Sequence, residues 1–472
     1  MSSPLPLAGV LRLGRPSDIW FKPALSVVAA VAPPNLGLLA LGRLDLAMYT
    51  MAGSLCALYA HNRPYAARAR ALAWVVLGML GGLAVALVAA SLTRSAVVLV
   101  AVGAVLAAVQ KTLCDATRIG PPGNVVLTFI SSAALFAPES PGRIPGHLAL
   151  AAAAGAWAWL VGMAPGLLRP HGPERRATAS ALDAAATHAE AHGTGRPPTP
   201  GDATAVRAAR QALRSAGSPS ETRHALERLL VRAEIALAAP ADADPELLRT
   251  WARQTRGNRP VPDVEDLIGI DTEAAAHPGP LRHRLRPLAP LAVRTALGCA
   301  LAGYASLALG VGRPYWALVT AASLYQANLT LTWGRGVQRV VGNLLGVLVF
   351  AALVPLAHTG QAALVLCCLA LNFGAEALIG RNYWLGGLCV TPMALLITEF
   401  AGFQEPGRLI TERVVDTLVG ALLGLAAAVA VPHRSRVARA ERAGPRTLAA
   451  TGGDRGRHPD QRTGNTTEGV RP

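Results

Sequence analysis

Charge, aromatic residues and lysine are what this chain has little of. Of its 472 residues, 15% are charged and 5% aromatic, while 52% are hydrophobic. Soluble domains carry about 25% charged residues, so so large a deficit excludes an ordinary water-soluble globular domain and points to lipid. Lys22 and Lys111 are the only lysines, which leaves the net charge of +16 to arginine. No basic stripe with interleaved aromatics goes with that charge, which excludes nucleic acid as a partner. The six cysteines, Cys56, Cys114, Cys299, Cys367, Cys368 and Cys389, lie in or beside apolar runs. None is paired at metal-ligand spacing, so neither a disulfide framework nor a metal site is expected. Catalytic motifs are missing too: there is no His-Glu-x-x-His, Cys-x-x-Cys or Gly-x-Ser-x-Gly. Lys111-Thr112 follows Gln110 rather than glycine, so no phosphate-binding loop and no ATP motor is expected. The acidic group Asp263, Glu265 and Asp266 reads as a solvated turn. No enzyme and no cofactor is expected. No cleavable leader is expected either, because the apolar run from Pro23 leads straight into another.

Long apolar runs are what the chain does have. A span needs roughly 20 mostly apolar residues. Six are predicted in the first half, at 23–41, 44–60, 71–91, 95–113, 123–138 and 147–167, and six in the second, at 288–309, 314–332, 337–356, 361–379, 384–402 and 410–431. Pro33-Pro34-Asn35 and Gly123-Asn124 interrupt the first set, and broken helices are tolerated where their backbone faces protein or a water-filled cavity. The polar stretch between the blocks predicts helices over 174–192, 202–216, 220–239 and 245–256. Within the third, Leu226, Leu229, Leu230 and Ile235 fall on one face. The expected organisation is all-α and polytopic. A transmembrane block at 1–169 precedes a helical segment at 170–286, a second transmembrane block at 287–432 and a disordered tail at 433–472.

Arginine sets the orientation. With the N-terminus cytoplasmic, Arg12, Arg15, Lys22, Arg63, Arg68, Arg70, Lys111 and Arg118 fall inside, against Arg43, Arg94 and Arg143 outside. In the second block Arg282, Arg284, Arg286, Arg335, Arg339, Arg381, Arg434 and Arg436 fall inside, against Arg313, Arg408 and Arg413 outside. Both termini and the middle segment are then expected in the cytoplasm of a multi-pass protein of the inner (plasma) membrane. Six spans per block make a parallel repeat. Gly78/Gly82 and Gly342/Gly346 lie in corresponding third spans, and Gly420/Gly424 adds a third pair. Glycines four apart let a neighbouring backbone approach, which predicts packing within the chain or, alternatively, a homo-oligomer.

Polar residues inside apolar runs are the sharper signal, because charge at bilayer depth costs several kcal/mol and marks a pathway or a partner. Arg294, Gln326, Asn328, Arg339, Asn343, Asn372, Glu376, Glu399 and Asp416 all lie in the second half, and Thr391-Pro392 breaks its fifth span. The first half offers only Asn35, Gln110 and Asn124.

Arg313-Pro-Tyr-Trp-Ala-Leu-Val-Thr, followed by Arg339-x-x-Gly342-x-x-x-Gly346, then Asn382-Tyr-Trp and Thr391-Pro392, resembles the fusaric acid resistance and aromatic acid exporter family. The resemblance is strongest over 288–431 and implies efflux of small organic anions, aromatic carboxylates among them. Under that reading Arg294, Arg339, Asn343, Gln326 and Asn328 would bind substrate, and Glu376, Glu399 and Asp416 would couple protons. An anion channel and a non-transporting scaffold are the alternatives.

Overall fold

A computed structural model of the chain describes residues 9–14, 20–195, 200–216, 220–257, 260–264, 280–326 and 328–431. Arg15, Glu265, Asp266, Arg434, Arg436 and the expected tail lie outside the described residues, as does much of the 193–201 loop.

Every regular element among the described residues is helical. The helices are α1 (Phe21–Ala40), α2 (Ala47–Ser54), α3 (Tyr65–Leu92), α4 (Ala96–Ala116), α5 (Val125–Leu135), α6 (Ile144–Leu168), α7 (Gly172–Gly193), α8 (Pro200–Ser215), α9 (Glu221–Ala238), α10 (Pro245–Arg256), α11 (Leu281–Leu285), α12 (Ala289–Ala308), α13 (Tyr315–Ala322), α14 (Leu329–Ala357), α15 (Gln361–Ile379), α16 (Tyr383–Thr398) and α17 (Pro406–Ala430). Among the described residues, nine helical stretches are long and apolar enough to cross a bilayer. They are apolar on both sides: α3 buries Leu72, Met79 and Leu83 while exposing Trp74, Leu77 and Val85. A soluble helix would put charge on that outer face.

Three predicted spans are shorter than expected. Residues 44–60 hold the eight-residue α2 with a 3-10 turn at each end (Leu44–Leu58 in all), 314–332 the eight-residue α13, and 123–138 the eleven-residue α5. At about 1.5 Å per residue none crosses a hydrocarbon core of about 30 Å. All eight residues of α13 are buried, so its broken ends face protein rather than lipid. The chain then breaks, and Asn328 restarts it by accepting a hydrogen bond from the Leu331 N–H (2.8 Å). Gln326 and Asn328 therefore sit in a break and at a helix cap, not inside a span. Because of that cap α14 begins at Leu329 rather than 337, so the stretch Trp333-Gly-Arg-Gly read as part of a loop is helical. Its counterpart α3 likewise begins early, at Tyr65, and draws Arg68 into a buried position.

The helix pairings recur in one order along the two halves. In the first, α2 packs on α6, α3 on α5 and α3 on α6; in the second, α13 packs on α17, α14 on α16 and α14 on α17. Across the halves, α1 lies on α15 and α12 on α4. Glycine allows the closest of these contacts. A Cβ on Gly342 would fall 2.7 Å from the Trp384 carbonyl, and one on Gly346 would fall 2.7 Å from Thr391 Cβ. On α3, a Cβ on Gly82 would meet Gln110 Nε2 at 2.6 Å. Gly420 and Gly424 face Ala317 and Leu324. Gly78 differs from the expectation: nothing lies within 4 Å of its Cβ position, so it takes no part in packing.

Helices α7 to α10 fall close to their predicted limits and form a core of their own around Leu182, Leu213, Leu226, Leu229, Leu230 and Leu248. Ser220 and Asp244 cap α9 and α10. Ile235, expected on the buried face of α9, is instead exposed.

The glycine geometry yields a paired prediction. Gly346→Leu forces α14 off α16 and costs about 1–3 kcal/mol or more, whereas Gly78→Leu does not. Thermal unfolding of the detergent-solubilised variants checks this: the midpoint should fall for the first and stay near wild type for the second.

Candidate functional site

The spacing of Arg413, Asp416, Thr417, Gly420 and Gly424 places them along one face of α17. The two glycines let α17 lie on α13, and Gly342 and Gly346 let α14 lie on α16. Four helices thereby converge on a buried polar centre. Asn343 on α14 is its hub. Its Oδ1 accepts from Thr391 Oγ1 (2.6 Å) and Arg413 Nη2 (3.4 Å), while its Nδ2 donates to Thr417 Oγ1 (3.0 Å).

Arg413 is 1% exposed, and its guanidinium carbon lies 4.1 Å from the centroid of the Trp316 ring on α13. That face of the indole carries the negative lobe of the ring quadrupole and offsets part of the charge. Nevertheless, Nε and Nη1 of Arg413 are buried with no hydrogen-bond partner among the described residues. A buried guanidinium left with unused donors costs several kcal/mol unless an acceptor arrives. One turn on, Asp416 accepts from Ser306 Oγ (2.5 Å) through Oδ1, and its Oδ2 is likewise buried without a partner. Arg339, one turn before Asn343, donates from Nη1 to the Tyr383 hydroxyl (3.0 Å), and its Nε is unused. Arg294 on α12 stands 4.9 Å from the Tyr325 ring centroid and donates from Nη2 to the Gln326 carbonyl (3.4 Å).

A cavity of about 1020 Å³ lies beyond this centre, at the end of the bundle where α1, α5, α12 and α16 terminate. Arg43, Arg143 and Arg313 line it, together with Phe129, Phe136, Tyr315 and Phe400. Tyr49 stacks on His147 with centroids 3.9 Å apart, and Glu139 accepts from both Tyr49 (3.1 Å) and His147 (2.7 Å). At the inner wall Tyr315 packs against Trp316 at 4.8 Å, and Phe129 stacks on Trp316 at 5.4 Å. Aromatic rings thus lead from an arginine-lined cavity to the face that Arg413 covers. Asp45, also in the wall, pairs with Arg43 (3.1 Å), and Glu412 pairs with Arg313 (3.6 Å).

Among the expected site residues, Arg339, Asn343 and Asp416 belong to or border this centre. Arg294 and Gln326 meet each other near the break after α13. Asn328 is exposed and serves as a cap. Glu399 pairs with His358 (3.2 Å) at the far end of α14. Glu376 is half-buried on α15 and makes no hydrogen bond or ion pair among the described residues. Arg413 is the main correction: the arginine distribution counts it among the outside charges, yet it is buried in α17. Trp316, Arg43, Arg143, Arg313, Tyr49, Glu139 and His147 were also missed as site residues. The signal that could have found Arg413 is its helical spacing to Asp416, Gly420 and Gly424.

Residues 299–427 match the family described as fusaric acid resistance protein-like. A stretch of 122 residues, 25% of the chain, is 34% identical to the "Uncharacterized membrane protein YvaC" of Bacillus subtilis (strain 168). Another of 144 residues, 30% of the chain, is 32% identical to an "Uncharacterized protein" of Haemophilus influenzae. The matches span only 19% and 18% of those relatives' own lengths. No solved structure matches the chain. The family match runs from Cys299 on α12 to Ala427 on α17 and contains Trp316, Arg339, Asn343, Arg413 and Asp416. The chain is a multi-pass membrane protein whose residues 299–427, polar centre included, match the fusaric acid resistance protein-like family.

Proposed function

We propose that this chain is a secondary transporter of the inner (plasma) membrane that exports small organic anions, aromatic carboxylates foremost. The observation that carries the reading is Arg413: a buried guanidinium, stacked on Trp316, with two unused donors. A carboxylate supplies the acceptor those donors lack, in the fork geometry that guanidinium suits, and its ring extends the aromatic stack formed by Phe129, Trp316 and Tyr315.

The arginine distribution supports cytoplasmic termini and a cytoplasmic α7–α10 segment (170–286), between a first block at 1–169 and a second at 287–432. The recurring pairings α1 on α15 and α12 on α4 support a parallel repeat. In that orientation the arginine-lined cavity opens outward, and Arg294, Arg335 and Arg339 stand toward the cytoplasmic end. Arg339 passes substrate to Arg413, Asn343 fixes Arg413, and release is into the outer cavity. Asp416, whose Oδ2 faces no partner, is the best-placed group to carry a coupled proton, because it shares a helix face with Arg413. Glu376 and Glu399 make no hydrogen bond or ion pair with the centre among the described residues and take secondary roles.

Two outcomes follow for efflux of labelled aromatic acids from proteoliposomes. Arg413→Gln lowers the initial rate at sub-saturating substrate by at least roughly tenfold, the loss of one charge-assisted contact, while the protein remains folded by size exclusion. Wild-type efflux in that variant would remove Arg413 from the pathway. Asp416→Asn abolishes the response of net efflux to an imposed pH gradient but leaves substrate exchange running. Glu376→Gln keeps most of the pH response. A reversal of these two results would move the coupling group to α15, and large currents unaffected by either change would mean an anion channel.

A further inference from the structure

A second cavity, of about 830 Å³, lies at the opposite end of the first block, where α1 and α3 begin and α6 passes into α7. Its walls carry Lys22, Asn62, Arg169, His171, Arg175 and Arg176, and no carboxylate lines it among the described residues. Lys22 makes no hydrogen bond or ion pair among the described residues, yet it stands within electrostatic reach of Arg169 and Arg176. The negative charges nearby are spoken for or set back. Arg256, also in the wall, is bound to Asp183, and Glu174 is buried behind Arg176. Arg68 is buried on α3 close to Arg176 and shares His61 Nδ1 at 3.0 Å, adding positive charge from below. Burial, and then the nearby Arg175, push His171 below the ordinary histidine range.

Like charges gathered around a cavity repel, and an anion bound among them relieves that repulsion. Guanidinium groups favour oxyanions they can grip with two parallel hydrogen bonds, and a phosphate carries more charge and more acceptors than a carboxylate. The mouth of the cavity adds a second feature: Leu168 lines it, and Leu167 and Leu168 are 88% and 84% exposed at the end of a membrane-crossing helix. Acyl chains can lie on these leucines while a headgroup enters the cationic pocket.

We infer that this cavity is a binding site for a phosphate-bearing anion, seated between the first membrane block and α7 and held by Lys22, Arg169, Arg175 and Arg176. The site is separate from the proposed transport pathway, and its test does not depend on transport.

The test is the thermal midpoint of the full chain in neutral-detergent micelles, titrated with phosphatidylglycerol, phosphatidylcholine or inorganic pyrophosphate. Phosphatidylglycerol, or pyrophosphate if the source is soluble, should raise the midpoint of wild type, and phosphatidylcholine should not. The half-saturating concentration should rise by roughly tenfold or more in Lys22→Gln/Arg176→Gln, which removes two charged contacts. It should also rise in Arg169→Gln, a change at an exposed residue, and fall in Glu174→Gln, which removes the acid behind Arg176. Arg94→Gln, at the other end of α3, should titrate as wild type. A response to phosphatidylglycerol alone assigns the site to a lipid headgroup; a response to pyrophosphate assigns it to a soluble phosphate. No response in wild type, or titrations that are equal in wild type and all four variants, would overturn the inference.

Discussion

A guanidinium cannot be placed inside an apolar bundle without arranging the bundle around it. Arg413 cannot lose its charge as a carboxylate can, so the surrounding helices must supply π-face and acceptors. The short α13, buried along its whole length, holds Trp316 against Arg413. Asn343 is brought within reach only because Gly342 and Gly346 let α14 sit against α16. Thr391 and Thr417 then fix the amide from either side, so that its oxygen faces Arg413. The glycines, the broken helix and the polar hub are three consequences of one buried charge. What they leave unfilled, two donors on Arg413 and one acceptor on Asp416, is where chemistry with a ligand can occur.

The first half shares this plan but not its charge. Gly82 lies against Gln110 and Ser131, and Thr128 donates to Gln110 at 3.0 Å. These groups satisfy one another, so the centre between α3, α4 and α5 is polar but closed. The centre of the second half instead holds ionisable residues, Arg339, Arg413 and Asp416, each with a buried polar atom that has no hydrogen-bond partner among the described residues. Contacts across the halves put the second half's α13 against α4 and α5, and Phe129 of the first half completes the stack on Trp316. The first half thus supplies a wall and half of a cavity to a centre built by the second.

Much of the fold was legible because its signals are local. Apolar runs located the nine long helices to within several residues, and amphipathic spacing with Ser and Asp caps located α7 to α10. Helix length was misread where capping and burial decided it. Asn328 restarts the chain early, and α13 ends after eight residues although apolar sequence continues. Arg339, Asn343 and Asp416 could be picked out because polar residues are rare at that depth. Arg413 was lost because counting arginines by loop assumes that a charge near the end of an apolar run is outside it. Asn328 and Gly78 were overread, since composition cannot tell a cap from a contact or a lipid-facing glycine from a packed one. The arginine-lined cavity was invisible for a different reason: Arg43, Arg143 and Arg313 are far apart in sequence and meet only through the packing of four helix ends.

The claim at the centre of this account is that Arg413 and Trp316 form a site for an aromatic carboxylate. Calorimetric titration of the purified chain with benzoate and with the isosteric, uncharged benzamide tests it most directly. The account predicts that benzoate binds and benzamide does not, because only the carboxylate supplies charged acceptors to the free guanidinium nitrogens. Equal binding of the two, or saturable binding of neither, would contradict it.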